Sequence, residues 1–430
     1  MTRPMVLSLV AAAGLAAPAL AATSNDDVRA IVSEMMSDAE TRSSLLAGGD
    51  AGHDGKFFIA GDGFRLNVGG AIQTRYLMDF RDDSNSGDDF SNGFQVPKTR
   101  VNFGGTVNKD WNFWVDAQFD TTGEGSGQFK LLDALFGYNF ANGWGLYVGQ
   151  LKPPIIREDA MSDFKLLAVE RAPSTDFLRH DRVKAVWLQY QAENWRTWLT
   201  FNSGANTDNT DFNASNNADY AFSARFEFLF AGKWDQFADF TSPKGSDFGA
   251  MLGIAAHYQG PHNTPNPADV DTSVFLYTAD LGLEGDGWNL FGSFIGRHIE
   301  QDTLGTDGTD LDDFSFVIQG GLMLTDKFEI FGRYDALIVD DDRGFNNDYM
   351  SWITGGVNYY FAGHAIKFTG DVVYAIDDTL PDVSALGGFS TTQGLQGDTT
   401  EGEVAIRLQN FELPASVVKG ASGPMPPINI

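Results

Sequence analysis

From Phe64 to Phe411 the apolar residues recur at every second position, in runs too long for an ordinary soluble sheet. In the first run Leu66, Val68, Gly70, Ile72, Thr74, Tyr76, Met78 and Phe80 share one face. Arg65, Asn67, Gln73, Arg75, Asp79 and Arg81 share the other. A period of two is the signature of a strand. A tilted strand crosses a bilayer in ~9–11 residues, whereas soluble strands are most often ~5–6 residues long. The same pattern predicts sixteen strands, at about 64–80, 94–107, 111–120, 129–140, 144–153, 183–192, 195–203, 219–230, 247–258, 272–284, 287–299, 313–324, 327–338, 350–361, 364–375 and 401–411. Connections after even-numbered strands are mostly tight, as at Asn108-Lys109-Asp110, Glu193-Asn194 and Gly285-Asp286. Those after odd-numbered strands are long and rich in Asp, Asn, Gly and Ser. Short turns on one side and long loops on the other are the pattern of an all-β, transmembrane antiparallel β-barrel of about 16 strands. One connection breaks the rule: Ala231 to Ser246 is long and partly aromatic, and predicts either a displaced strand boundary or a small helix on the rim.

The N-terminus sets the compartment. Arg3, the apolar stretch Val6 to Leu20 and the small-x-small site Ala19-Leu20-Ala21 predict a signal peptide over 1–21, hence export and insertion into the outer membrane. Residues 22–56 follow as a short N-terminal periplasmic helix, from about Asp26 to Leu46, and a linker, Ala47 to Gly55. The barrel is expected over 57–411 and a tail over 412–430. With no cysteine, an exported chain has no disulfide framework, and a barrel without open edges supplies stability in its place. A mean hydropathy of −0.20 fits this architecture, because lipid-facing and lumen-facing residues average out along each strand. Trp111, Trp144, Trp195, Trp288, Phe328, Tyr359, Tyr360 and Phe361 lie beside the short turns, where an aromatic girdle is expected. The formal net charge of −29 argues against nucleic acid as a partner.

The fifth strand and the start of the loop after it read Tyr147-Val148-Gly149-Gln150-Leu151-Lys152-Pro153-Pro154-Ile155, with Ala168-Val169-Glu170-Arg171 downstream. This resembles the V-G-Q-F-K-x-P-F stretch and the Glu-Arg landmark of the phosphate-selective porin O and P family. Pro97 to Val101 and the hairpins Phe314 to Leu337 and Ile353 to Tyr374 agree as well. The resemblance implies a sixteen-stranded barrel, usually a homotrimer, with its third loop folded inward to narrow a pore. It also implies uptake of small anions, phosphate among them, along inward Arg and Lys. The strand count places Pro153 to Arg182 as the third and longest external loop. Two features depart from the family: the chain runs on to Ile430 past its last aromatic strand residue, Phe411, and its overall charge is acidic.

Selectivity in a wide pore is set by the charges lining its constriction. Strand alternation turns Lys98, Arg100, Lys152, Arg196, Arg225, Arg333, Lys367 and Arg407 inward, beside Arg65 and Arg75. Loop three adds Arg157, Lys165, Arg171, Arg179 and Arg182. Guanidinium groups match oxyanions with a planar fork of donors. Inward acids, Asp79, Asp116, Asp120, Glu227, Glu329, Asp335 and Asp371, oppose them. That mixture leaves open a non-selective or cation-preferring diffusion channel. The aspartates of the external loops are oxygen donors for divalent cations, but their spacing completes no EF-hand. The six histidines are scattered, and no H-E-x-x-H, G-x-S-x-G or P-loop is present. No cofactor and no catalytic residue is expected. A barrel hydrolase, or a structural surface protein, remains as the reading from another class.

Overall fold

A computed structural model describes residues 50–53, 57–81, 89–120, 128–214, 217–261, 271–302, 308, 310–345, 347–377, 395 and 402–412. The expected signal peptide, N-terminal helix and C-terminal tail lie outside these residues. All sixteen expected strands are present: β1 (Phe64–Phe80), β2 (Phe90–Val107), β3 (Trp111–Asp120), β4 (Gln128–Asn139), β5 (Trp144–Leu151), β6 (Val183–Gln191), β7 (Trp195–Asn202), β8 (Ala221–Ala231), β9 (Gly249–Gln259), β10 (Asp271–Gly285), β11 (Trp288–Asp302), β12 (Leu311–Met323), β13 (Phe328–Ile338), β14 (Tyr349–Tyr360), β15 (Ile366–Ala375) and β16 (Val404–Glu412). Each pairs antiparallel with its sequence neighbours.

The sheet closes where β16 pairs with β1, from Val404 opposite Phe80 to Glu412 opposite Ile72. That register covers only part of the longer β1. Of the remainder, Phe64 to Val68 is paired by a short strand, Phe57–Gly61, which leaves Gly69 to Ala71 between the two. The short strand continues the row that β16 leaves off, so little of the edge of β1 is left open. In hydrocarbon an unpaired backbone edge costs several kcal/mol per group, which is why closure is obligatory. The segment expected to be a linker is in part extended: Asp50–His53 is a strand.

The side-chain pattern is inside out relative to a soluble barrel. Along β8, Phe222, Ala224, Phe226, Phe228 and Phe230 point outward, while Ser223, Arg225 and Glu227 are buried inward. Phe94 on β2 is 87% exposed. Water would penalise such a surface, and lipid tails solvate it. Trp111, Trp144, Tyr359 and Phe361 are exposed beside the short turns as a girdle requires. Tyr360 does not belong with them. It is only 5% exposed and donates to Glu329, because alternation forbids neighbouring residues from facing lipid together.

Pro97 sits within β2, where a missing N–H would ordinarily break the ladder. The register slips there: Lys98 opposes Gln73 while Gln95 opposes Arg75. A bulge absorbs the proline and keeps Lys98 and Arg100 on the inner face. The chain's 48 glycines also find a use. A Cβ on Gly253 would sit 2.1 Å from the Arg225 guanidinium, and one on Gly282 would sit 2.8 Å from that of Arg157. Glycine makes room for large cations packed flat against the wall.

The alternation of turns and loops makes a topological prediction. Because the chain has no cysteine, a single introduced one reports its own position. Asp211→Cys, in a long connection, is expected to react with a membrane-impermeant maleimide on intact cells. Ala141→Cys, in a tight turn, should react only after the outer membrane is permeabilised. Its neighbour Asn142 is avoided because its φ of 75° favours Asn or Gly. Equal labelling of both sites would overturn the orientation.

Candidate functional site

Loop three leaves β5 at Lys152 and returns to β6 after Arg182, carrying two short helices, α1 (Arg157–Ala160) and α2 (Pro173–Leu178). It folds into the barrel, as its apolar residues require. Ile155, Ile156 and Leu178 pack with Leu337, Met350, Trp352 and Val373 of the far wall. Met161, Leu166 and Leu167 form a second cluster with Phe240, Phe291 and Phe331.

An irregular loop has no ladder to satisfy its backbone, so the wall must supply partners. Val169 N–H donates to Asp371 Oδ2 at 2.9 Å, and Ser174 N–H to Asp335 Oδ2 at 3.0 Å. In the other direction, Lys367 Nζ donates to the Leu166 carbonyl at 2.7 Å and Asn358 Nδ2 to that of Leu167 at 2.9 Å. Arg333 Nη1 reaches the Glu170 carbonyl at 2.9 Å. The loop is therefore anchored on β13, β14 and β15, across the lumen from the strands it connects.

The densest charge cluster sits where the loop meets β1 and β2. Glu170 pairs with Arg75 and, at 3.1 Å, with Lys98. Asp163 pairs with Arg100, with Lys98 at 3.4 Å and with Arg171 at 2.5 Å. Arg171 also lies 3.8 Å from Asp159, so four cations meet three carboxylates, an excess of one positive charge (4 − 3) among these seven side chains. Burial pushes the Glu170 carboxyl up, but Lys98 and Arg75 outweigh it and hold it down at about 2. Asp163, also buried, is held well below the usual range by Lys98, Arg100 and Arg171.

Of the fifteen cations singled out from the sequence, Arg75, Lys98, Arg100, Lys152, Arg157, Arg171, Arg182, Arg196, Arg225, Arg333, Lys367 and Arg407 have side chains no more than 17% exposed, whereas Arg179 of loop three is 45% exposed. Lys98, Arg100 and Arg171 converge on Asp163. Lys152 pairs with Asp159 at 2.8 Å and Asp181 at 3.2 Å. Arg182 forks onto Asp133. Arg225 forks onto Asp280, at 2.7 and 2.9 Å, and shares Glu227 with Arg196. Arg333 approaches Glu158 and Asp335, and Arg407 forks onto Asp371 at 2.7 and 2.8 Å. Lys367 and Arg157 take carbonyls and aromatic rings instead of carboxylates. Sequence reasoning missed Asp280 and Asp133 as inward acids. Strand parity carried the signal for Asp280. For Asp133 it was hidden by a bulge, where Asp116 opposes Asp133 but Ala117 opposes Leu131.

The connection Ala231 to Ser246 holds a short 3-10 turn, Trp234–Ala238, and it is not a rim feature. Phe237 and Phe240 are 3% exposed and reach the inside. Thr241 bonds the Tyr360 hydroxyl at 2.8 Å, and Ser242 donates to the Gly285 carbonyl. Two connections, from opposite ends of the barrel, thus meet within it. Elsewhere, Ser223 Oγ lies 2.9 Å from His257 Nδ1, with His180 Nε2 3.1 Å from the same atom. Both imidazoles are fully buried, and the network runs on to Gln259 without a carboxylate. Among the described residues no three His, Asp or Glu side chains are placed to hold a metal ion.

Asp371 serves both Arg407 and the Val169 amide, so Asp371→Ala takes the carboxylate away from a fully buried guanidinium. We expect a loss of roughly 3–5 kcal/mol in urea unfolding of the detergent-folded protein. Asp371→Leu with Arg407→Met should recover much of it, since both members of the buried pair are then apolar. Acid provides a second check. Glu170 has its carboxyl lowered in the fold, so its clamp is complete above about 4.5 and is lost as pH falls towards about 2. Pepsin is expected to spare loop three at pH 4 and cut it at pH 2, whereas Glu170→Gln should be cut at both. Equal resistance of the variant at pH 4 would show that the clamp contributes nothing.

Comparison with known proteins gives the same architecture. Residues 67–242 match the family described as phosphate-selective porin O and P. No curated protein sequence matches significantly. Among solved structures, an anion-selective porin from Comamonas acidovorans superposes with a TM-score of 0.56 at 11% identity, over 81% of this chain and 99% of that one. The outer membrane channel DcaP of Acinetobacter baumannii gives 0.55 at 12% identity, over 82% and 98%. OprB of Pseudomonas putida gives 0.52 at 9% identity, over 87% and 96%. At these identities the structures establish the fold, which is the barrel of outer-membrane porins.

Proposed function

We propose that this protein is an outer-membrane porin that passes small anions by diffusion, with loop three as its constriction. The observation that carries this reading is the surplus of cations over carboxylates where loop three meets β1 and β2: Arg75, Lys98, Arg100 and Arg171 against Glu170, Asp163 and Asp159. The family match and the anion-selective neighbour support the same direction. The selectivity is expected to be modest, because most other interior cations are paired with carboxylates and present little net charge to a passing ion. Homotrimeric assembly belongs to this reading through the family resemblance. Cross-linking in intact membranes before denaturing electrophoresis measures it.

The hydrolase alternative would need a serine and a histidine open to substrate, and Ser223 and His257 are buried in a closed network. The deciding measurement is the reversal potential of the purified protein in a planar bilayer under a KCl gradient. We expect a chloride preference at low salt. Exchanging Lys98 and Arg100 for Gln should lower the chloride-to-potassium permeability ratio, whereas changing Asp340, Asp341 and Asp342 to Asn should leave it almost unaltered. The carboxylates paired with Lys98, Arg100 and Arg171 are Asp163, Glu170 and Asp159, and salt screens exposed charges over ~8 Å. A cation preference in the unmodified protein would overturn the anion reading and leave the channel.

A further inference from the structure

Where α1 meets the inward-folded β8–β9 connection, the two enclose a cavity against β6, β7 and β8, lined in part by Arg157, Arg196, Trp187, Trp198, Trp234 and Phe237. Its charges are not equivalent. Arg225 is committed to Asp280 and Glu227, Arg196 to Glu227, and Lys152 to Asp159 and Asp181. Arg157 forms no ion pair among the described residues, although it is only 7% exposed. It donates to the Phe237 carbonyl at 3.2 Å and lies 5.3 to 5.7 Å from the rings of Phe237, Phe240 and Phe291. Asp280, Glu227 and Glu284 act on it only through space.

A buried guanidinium without a carboxylate costs several kcal/mol unless something offsets it, and ring faces do so only in part. Three tryptophans, Trp187, Trp198 and Trp234, line the same cavity. Arg196 already bridges two of them, 5.0 Å from the Trp198 ring and 4.2 Å from that of Trp234. A hydrated inorganic oxyanion needs several uncommitted donors, and this cavity offers one guanidinium. The lining also carries Lys152, Arg196, Arg225 and Glu227, all held in ion pairs; aromatic side chains beside one cation outside such pairs suit a molecule with an apolar body and a single negative end. We propose that the cavity is a binding site for a small aromatic monocarboxylate, with its carboxylate on Arg157 and its ring against the tryptophan faces. The proposal rests on the channel reading, in that such a solute would be met on its way past loop three.

The test uses the full chain, folded in detergent, with benzoate, acetate and inorganic phosphate as probes and tryptophan fluorescence as the readout. Benzoate is expected to change the signal saturably, at concentrations at least tenfold below those needed for acetate or phosphate. Arg157→Gln should weaken benzoate at least tenfold, and Trp234→Ala should erase most of its advantage over acetate. Arg157→Lys, which keeps the charge, guards against loss of folding and should retain benzoate to within about threefold. Equal binding of benzoate and acetate, tighter binding of phosphate, or an unaltered Arg157→Gln would overturn the proposal. Bilayer conductance separates it from the channel reading. Conduction with no saturable benzoate block or binding sinks the site alone, while benzoate binding to a protein that conducts no ions sinks the channel and leaves the site.

Discussion

Closure of one hydrogen-bond ladder is the condition on which everything else in this protein depends. In hydrocarbon no water satisfies an open strand edge, so β1 must be covered, and two separate segments cover all but Gly69 to Ala71: β16 on one stretch and Phe57–Gly61 on another. Once closed, the ladder holds every strand at a fixed pleat. Each residue is then committed to lipid or lumen with no intermediate choice. Arg225 and Phe226 are neighbours in sequence and occupy opposite environments for this reason alone.

The lumen that closure creates is lined by charge, and charge is what holds the inner parts in place. Loop three offers a few apolar anchors and a backbone without partners of its own. The wall answers with carboxylates for its amides and with Lys367, Asn358 and Arg333 for its carbonyls. Such contacts are costly to break singly, because each leaves a buried group unpaired, although replacing a whole pair by apolar residues need not be. If the lumen conducts as proposed, the same groups that seat the loop also set the field in the passage, and stability and selectivity are then drawn from one set of side chains.

This sharing explains what was legible in the sequence and what was not. Strand number, order and the inward direction of Arg100, Arg333 or Arg407 come directly from a period of two and are readable residue by residue. Partners across the lumen are not, since Asp371 and Val169 are some two hundred positions apart and meet only through the barrel's curvature. Bulges are a second source of loss: the one between Asp116 and Ala117 reverses parity, and Asp133 disappears from an inward set made by alternation. The β8–β9 connection was recognisable as anomalous by its length and aromatics. Its direction was not, because the apolar surface that receives Phe240 is assembled from Leu166, Leu167, Phe291 and Phe331, residues of three different elements.

The acidic composition then ceases to conflict with an anion pathway. Net charge is a sum over the whole chain, whereas a passing ion samples only a Debye length around itself. Aspartates outside that distance act on solubility and on the approach of ions, and in salt their influence fades before the constriction. Inside, most carboxylates are matched to a cation at bonding distance, so their field is largely cancelled within a few ångströms. On the proposed reading, what an ion meets is the remainder of that cancellation: the excess around Asp163 and Glu170, the cations Arg157 and Lys367, and the carboxylates Asp116, Glu284 and Glu329, which form no ion pair among the described residues. On that reading a chain can carry twice as many acids as bases, 58 against 29, and still present a positive constriction, because pairing removes acids from view as surely as distance does.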